Sequence, residues 1–190
     1  MMNRQDPVPD EALIEAVQRG DRNAAATLYD RHVDRVHRIC YRIVLDSSQV
    51  QDCVQEVWLK VFRKVGQFRC ERSFVAWLNT VAANTAIDYY RKLVRRRNHI
   101  SSSRIRPNTA ATQDNPGNRQ MDSALIQKRI RYALATISPK QRTAFVLRYY
   151  EDIPIAQIAR TIGCSEGAVR THIRRSLLAL RAKLAGQIEV

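Results

Sequence analysis

The sequence predicts an all-α fold: two small helical domains joined by a flexible linker, the C-terminal domain containing a helix-turn-helix. Three observations predict it. Apolar residues recur at spacings of three and four through residues 10–97 and again through 121–187, with no strand-rich region and no internal repeat. Between them, residues 98–120 are rich in Ser, Asn, Thr and Pro and carry few apolar side chains, a composition that cannot bury a core. Finally, residues 151–184 read as a short helix, a tight turn and a longer helix with arginines on one side and aliphatics on the other.

The totals narrow the function classes. A formal charge of +14, from 32 basic and 18 acidic side chains, favours a polyanionic partner and salt-sensitive association. No basic-then-apolar leader opens the chain, and no run approaches the roughly 18 apolar residues of a membrane span. The expectation is therefore a cytoplasmic protein without stable membrane insertion. Cys40, Cys53, Cys70 and Cys164 show neither zinc-finger nor disulfide spacing. Cys40 and Cys53 fall on apolar helix faces and read as reduced core residues. His37 lies three residues before Cys40, yet two ligands do not close a site, and no metal or other cofactor is expected. The histidines, at 32, 37, 99 and 172, are scattered and accompany no nucleophile motif, so an enzyme is not expected.

Residues 1–9 read as a loose tail. Leu13, Ile14 and Val17 then make a short amphipathic helix ending at Gly20-Asp21. A second helix, 24–43, places Leu28, Val33, Val36, Cys40 and Ile43 on one face; Leu45-Asp46-Ser47-Ser48 ends it and caps the next. In that third helix, 49–64, Val50, Val54, Val57 and Val61 form an apolar line flanked by Cys53, Trp58 and Phe62. Asp52, Gln55 and Glu56 project elsewhere. They suit either a docking surface for a basic helix of another protein or favourable placement toward the helix N-terminus.

The loop 65–72 carries Phe68, expected to be exposed, and a fourth helix follows over 73–91. Phe74, Trp77, Leu78 and Val81 point inward, while Asn79, Asn84, Asp88 and Arg91 supply polar groups. An aromatic loop beside amides and arginines suits unstacked bases. Phe68 is the better stacking candidate because it lies outside the helical pattern; Phe74 and Trp77 read as core. Arg91, Lys92, Arg95, Arg96 and Arg97 give this helix a cationic end.

After the linker, Ile126, Ile130, Ala133, Leu134 and Ile137 make a stripe, Ser138-Pro139 signals a helix start, and Lys140–Tyr149 continues around Ala144, Phe145, Val146 and Tyr149. In the helix-turn-helix, Ile155, Ile158 and Ala159 form the apolar face of the first helix and Gly163 permits a left-handed corner. Ser165 caps the second helix, although Ala168 rules out a reciprocal capping box. Val169, Ile173, Leu177, Leu180 and Leu184 are expected as one packed stripe. Thr171 and Arg175 point directly away from it, with Arg170 and Arg174 on one shoulder and His172 on the other. Such a row suits a DNA major groove; the alternative is a surface helix with solvated arginines.

With these residues in hand, the chain resembles the bacterial extracytoplasmic-function sigma factors of the sigma-70 family. LYDRHVDRVHRI, QDCVQEVWLKVFRKVGQF and SFVAWLNTVAANTAIDYYRK resemble sigma region 2, and ISPKQRTAFVLRYYEDIPIAQIARTIGCSEGAVRTHIRRSLLALRAKL resembles region 4. No stretch resembles regions 1.1 or 3. The resemblance implies that residues 10–97 bind core RNA polymerase and the −10 element, and that residues 121–187 bind the −35 element. Asp52, Gln55 and Glu56 match the motif that docks on the coiled coil of the largest catalytic subunit. Phe68, Asn84, Asp88 and Arg91 match positions serving the melted, single-stranded −10 element. Arg170, Thr171 and Arg175 match contacts to duplex −35 DNA, while Arg174 falls where the family varies. An anti-sigma factor is an implied partner. Three positions depart from the pattern: Ala168 for a usual Thr, Gln157 for a usual Glu, and Cys70 for a common Gly. Cys70, flanked by Arg69, Glu71 and Arg72, is a candidate redox-sensitive thiol, with an inert thiol as the alternative. The competing function is a stand-alone helix-turn-helix regulator with an N-terminal sensory or dimerisation domain.

Overall fold

A computed structural model describes residues 8–69, 73–101 and 129–185. Their regular structure is helical, in two clusters. The first contains α1 (Asp10–Gln18), α2 (Arg22–Val44), α3 (Ser47–Lys64) and α4 (Phe74–Ser101), with a 3₁₀ turn, Val65–Gln67, after α3. The second contains α5, described over 129–135, then α6 (Pro139–Tyr149), α7 (Ile155–Ile162) and α8 (Glu166–Ala185).

Local chemistry sets the boundaries. Asp21 begins α2 by accepting from the backbone N–H groups of Asn23 (2.8 Å) and Ala24 (3.2 Å). Asp21→Ala should therefore cost about 1 kcal/mol of stability, read as a lower urea midpoint with unchanged slope. Leu45 closes α2 at φ 64°, and Asp46 takes up the Ser48 N–H and hydroxyl to open α3. Ser138 and Gln141 form a reciprocal capping box with Pro139 in the first turn of α6. Gly163 turns the chain at φ 63°, and Ser165 accepts from the Ala168 N–H at 3.2 Å, as the sequence indicates.

The fourth helix is longer than the apolar pattern suggests. It passes Arg91 and reaches Ser101, four residues into the stretch read as linker. Arginine and lysine are good helix formers, and cations suit a helix C-terminus, so the basic run extends the helix. The remainder of that stretch, 102–120, lies outside the described residues.

Within the first cluster, α2 is the central helix, burying Leu28, Val36, Ile39, Cys40 and Ile43 against α1, α3 and α4. Asp10 ties α1 to α2 through Arg31 (2.6 Å) and His32 (2.8 Å). Cys40 and Cys53 are fully buried free thiols with sulfurs 3.5 Å apart. Their mutual hydrogen bond, then burial, pushes the Cys40 thiol well above its ordinary value, so it is unreactive.

The second cluster packs onto the first, with α6 lying on α2 and α4 and α7 on α4. One guanidinium fastens the junction. Arg142 is 1% exposed and donates to Leu134 O (3.0 Å) and Ile137 O (3.3 Å) at the end of α5, and to Ile43 O (2.7 Å) in the last turn of α2. Carbonyls at helix C-termini lack intrahelical partners, so this cation serves two helix ends at once.

Candidate polymerase and nucleic-acid interfaces

At 100° per residue, Asp52, Gln55, Glu56, Leu59 and Phe62 share the outward face of α3. Its apolar line, Val50, Val54, Val57 and Val61, is buried against the cluster. Asp52 and Gln55 are exposed and Glu56 is half-buried. Glu56 meets Lys60 at 3.0 Å and Lys92 of α4 at 3.4 Å. Burial works to raise its carboxyl, but the two ammonium groups outweigh it and hold the carboxyl below the ordinary glutamate value. Glu56 thus stays charged at neutral pH. The sequence reading missed that this face continues into an apolar pair: Leu59 is 53% and Phe62 37% exposed. The signal was present, since 52, 55, 59 and 62 follow helical spacing.

On α4, Asn84, Asp88 and Arg91 are exposed on successive turns of one edge, and Arg91 pairs with Asp88 at 3.4 Å. Together with Ile87 they form one wall of a crevice of about 230 Å³; Lys140, Thr161 and Ile162 of the second cluster form the other. Phe68 differs from expectation. Its ring is buried, 5.7 Å from Phe74 and 5.3 Å from Trp77 between centroids. The 3₁₀ turn folds it beneath the start of α4, and Gln18 secures that turn by donating to Val65 O (2.8 Å) and Phe68 O (3.1 Å). An aromatic outside the helical pattern still gains more from burial than from solvent. Phe74 is core, as expected, while Cys70 lies outside the described residues.

On α8, Arg170, Thr171, Arg174 and Arg175 are all exposed, with His172 half-buried on the shoulder. Arg170 pairs with Glu166 at 3.2 Å, and the Thr171 hydroxyl donates to Gly167 O at 3.0 Å. Burial, then Lys140 and Arg175, lower the His172 pKa and favour the neutral ring. The buried stripe runs Val169, Ile173, Ser176, Leu180 rather than through Leu177, which is 42% exposed. Ser176 fits inside because its hydroxyl bonds Gln141 O (2.9 Å) and His172 O (2.7 Å). Leu177 and Leu178 instead line a groove of about 920 Å³ with Phe145 and Tyr149, rimmed by Arg148, Arg170, Arg174 and Arg181. Tyr149, expected in the helix core, is 51% exposed there.

Among the described residues, no three His, Cys, Asp or Glu side chains converge as a metal site, and no helix is long and apolar enough to cross a membrane. His37 stacks on Tyr41, with centroids 6.3 Å apart.

An acid–amide helix face, a helix edge of amide and arginine, and a basic helix-turn-helix together define a DNA-binding transcription protein. The Sigma-70 region 2 family model matches residues 28–96, and the Sigma-70, region 4 model matches residues 127–180. The ECF RNA polymerase sigma-E factor of Escherichia coli K12 is 30% identical over 185 residues, covering 94% of this chain and 96% of that protein. Its Haemophilus influenzae counterpart is 30% identical over 177 residues, covering 90% and 93%. The sigma factor RpoE of Bartonella quintana, solved with the anti-sigma factor NepR, shares the fold with a TM-score of 0.68 at 19% identity, over 84% of this chain and 96% of that one. The chain belongs to the extracytoplasmic-function sigma factors of the sigma-70 family, with regions 2 and 4. It is an RNA-polymerase-binding protein that directs transcription initiation, and not an enzyme. Those matches set aside the stand-alone regulator.

Proposed function

We propose that this sigma factor divides promoter recognition among three surfaces. Asp52, Gln55 and Glu56 bind core polymerase. Asn84, Asp88 and Arg91 hold the single-stranded −10 element, with Phe68 supporting the adjacent loop from within the core. Arg170, Thr171, Arg174 and Arg175 take the duplex −35 element in the major groove. The observation that carries this reading is the coexistence, on one chain, of an exposed acid–amide face on α3 and an exposed cation row on α8. Residues 10–101 and 121–187 are the two working units and 102–120 their tether, acting in the cytoplasm where polymerase is found. The chemistry is recruitment and strand opening: phosphate contacts position region 4, base contacts specify it, and region 2 offsets unstacking by capturing an exposed base.

The groove beside α8 suits an anti-sigma factor presenting an amphipathic helix with acidic flanks, matching the apolar floor and the four arginines of the rim. Arg170 and Arg174 belong to both the rim and the −35 row, so that partner and duplex DNA exclude one another.

Multi-round transcription with sigma-free bacterial core on fragmented genomic DNA tests the assignment. New start sites should appear with this chain, and Arg175→Ala should reduce their use by roughly 10-fold, unevenly across promoters, as loss of one base-reading contact does. Footprints and start sites unchanged by Arg175→Ala would remove Arg175 from the DNA surface. No added transcripts, with specific duplex binding by the chain alone, would overturn the division of labour.

A further inference from the structure

None of the three surfaces uses His172. The residue stands half-buried on the shoulder of α8, beside the exposed row that runs through Thr171 and Arg175. One hydroxyl fixes its place. Ser176 Oγ bonds His172 O at 2.7 Å and Gln141 O at 2.9 Å, which ties this turn of α8 to the first turn of α6. Lys140 precedes Gln141 there, and Arg175 lies three residues along α8, so cations from two helices bear on the ring. No carboxylate opposes them. On α4, Asp88 and Arg91 line a crevice with Lys140 but pair with each other at 3.4 Å. The only charged residue of α7 is the exposed Arg160, and the described part of α5 carries only Arg129 and Arg131.

The two ring nitrogens of His172 differ. Nδ1 is buried without a hydrogen-bond partner, whereas Nε2 is not buried and has no partner among the described residues. An imidazolium carries an N–H at both nitrogens, so a cation here has one donor that nothing accepts and two positive neighbours. Burial, then Lys140, then Arg175, accordingly lower its pKa, and the free chain holds the ring neutral at neutral pH. A DNA phosphate would reverse the balance. It sets an anion against Lys140 and Arg175, and it favours the protonated ring, whose Nε2–H can donate to it in a charge-assisted hydrogen bond.

We propose that His172 is a proton-linked phosphate contact of the −35 face, set between Lys140 and Arg175: as the duplex backbone arrives, the ring takes one proton from solvent and donates from Nε2 to a phosphate oxygen. The bound ring then titrates above the free ring. Binding therefore strengthens as pH falls from the first value to the second, and is level above both and below both. This rests on the assignment of α8 to the −35 element.

Holoenzyme, formed from the full chain and sigma-free core, tests it on a labelled duplex carrying a promoter found in the transcription assay. The parent should bind at least about threefold more tightly at about pH 6 than at about pH 8. Its salt slope should also be steeper by about one at the lower pH, because one more cation releases one more counterion. His172→Gln keeps a neutral donor and should lose both differences while binding like the parent at about pH 8. His172→Arg is charged at either pH and should show the steeper slope at both. Core polymerase, His32, His37 and His99 are common to all three holoenzymes, so a pH response that all three share belongs to those groups. A His172→Gln holoenzyme with the parent's pH dependence and salt slopes overturns the proton link while the sigma-factor assignment stands. So does a His172→Arg holoenzyme that still titrates like the parent. If replacing the −35 sequence of the duplex left parent binding unchanged at both pH values, the α8 assignment would fail first.

Discussion

Replacing Glu56 with arginine should weaken binding to core polymerase by at least about 30-fold, the factor equivalent to the ~2 kcal/mol lost when one partner of an interfacial charge pair is removed. The folded chain should survive it. Glu56 is half-buried at the surface, and its pairs with Lys60 and Lys92 are of the partly solvated kind whose net worth is below about 1 kcal/mol. The reversal gathers three cations where an acid–amide patch stood, so a basic docking partner meets repulsion instead of attraction. Titration of fluorescently labelled chain with core polymerase reads the affinity, and circular dichroism on heating reads the fold. An unchanged affinity in a folded variant would take the α3 face out of the polymerase interface. The loss should shrink at high salt, because the charge contribution is screened. Leu59→Ser should act differently, lowering affinity with little salt dependence, if the exposed apolar pair extends the same surface.

Much of the fold was legible because several helices have a capped beginning and each buries an apolar stripe. Asp46, Ser138 and Ser165 cap where sequence chemistry places them, and Gly163 turns where it must, while Asp21, read only as the end of α1, also caps α2. The outward rows, Asp52 and Gln55 on α3 and Arg170 to Arg175 on α8, followed from the same periodicity. What stayed hidden concerns second faces. Periodicity marks the stripe that a helix buries in its own cluster, but α2 has another partner in α6, announced only by charged residues. Arg35, Arg38 and Arg42 recur at three- and four-residue spacing and face Glu151, the acidic residue just after α6. In a chain this basic, such a row reads as a solvated face. Leu177 and Ser176 exchanged expected places for a related reason: one hydrogen-bonded hydroxyl satisfied inside costs less than a stripe would suggest, and Leu177 is left to line the groove. Phe68 was misplaced because a short 3₁₀ turn carries no periodic signal, although it decides where the ring goes.

Arg142 is the residue whose loss should be felt most in stability, and nothing in its local sequence advertises it. Arg142→Leu keeps a side chain of useful bulk in a fully buried position but leaves the carbonyls of Leu134, Ile137 and Ile43 without their donor. Each unmade buried bond costs about 1–3 kcal/mol, and the sum is not additive, so roughly 3–5 kcal/mol is expected. The stacking of its guanidinium on Tyr90, 4.6 Å from the ring centroid, is lost as well. For a helical cluster of this size that lowers the melting temperature by roughly 10 °C or more. Arg181→Ala, on the exposed end of α8, should stay within about 0.5 kcal/mol of the parent. Arg142→Lys keeps the charge but not the three-way fork, and should fall between. Gln157 of α7 donates to Ala76 O of α4 at 2.9 Å, so a comparison with Gln157→Glu, which sets a carboxylate against that carbonyl, separates two roles. Two of the Arg142 bonds lie inside region 4 and one crosses to α2, so Arg142→Leu should both weaken the junction between the clusters and loosen the α5–α6 turn, whereas Gln157→Glu should weaken the junction without lowering the region 4 melting step. Equal melting of Arg142→Leu and the parent would mean that well-packed leucine replaces the buried cation, as apolar groups sometimes replace buried ions, and the junction would then rest on its other contacts, among them the Arg35–Glu151 pair, the Arg131–Tyr41 hydrogen bond and the shared apolar core.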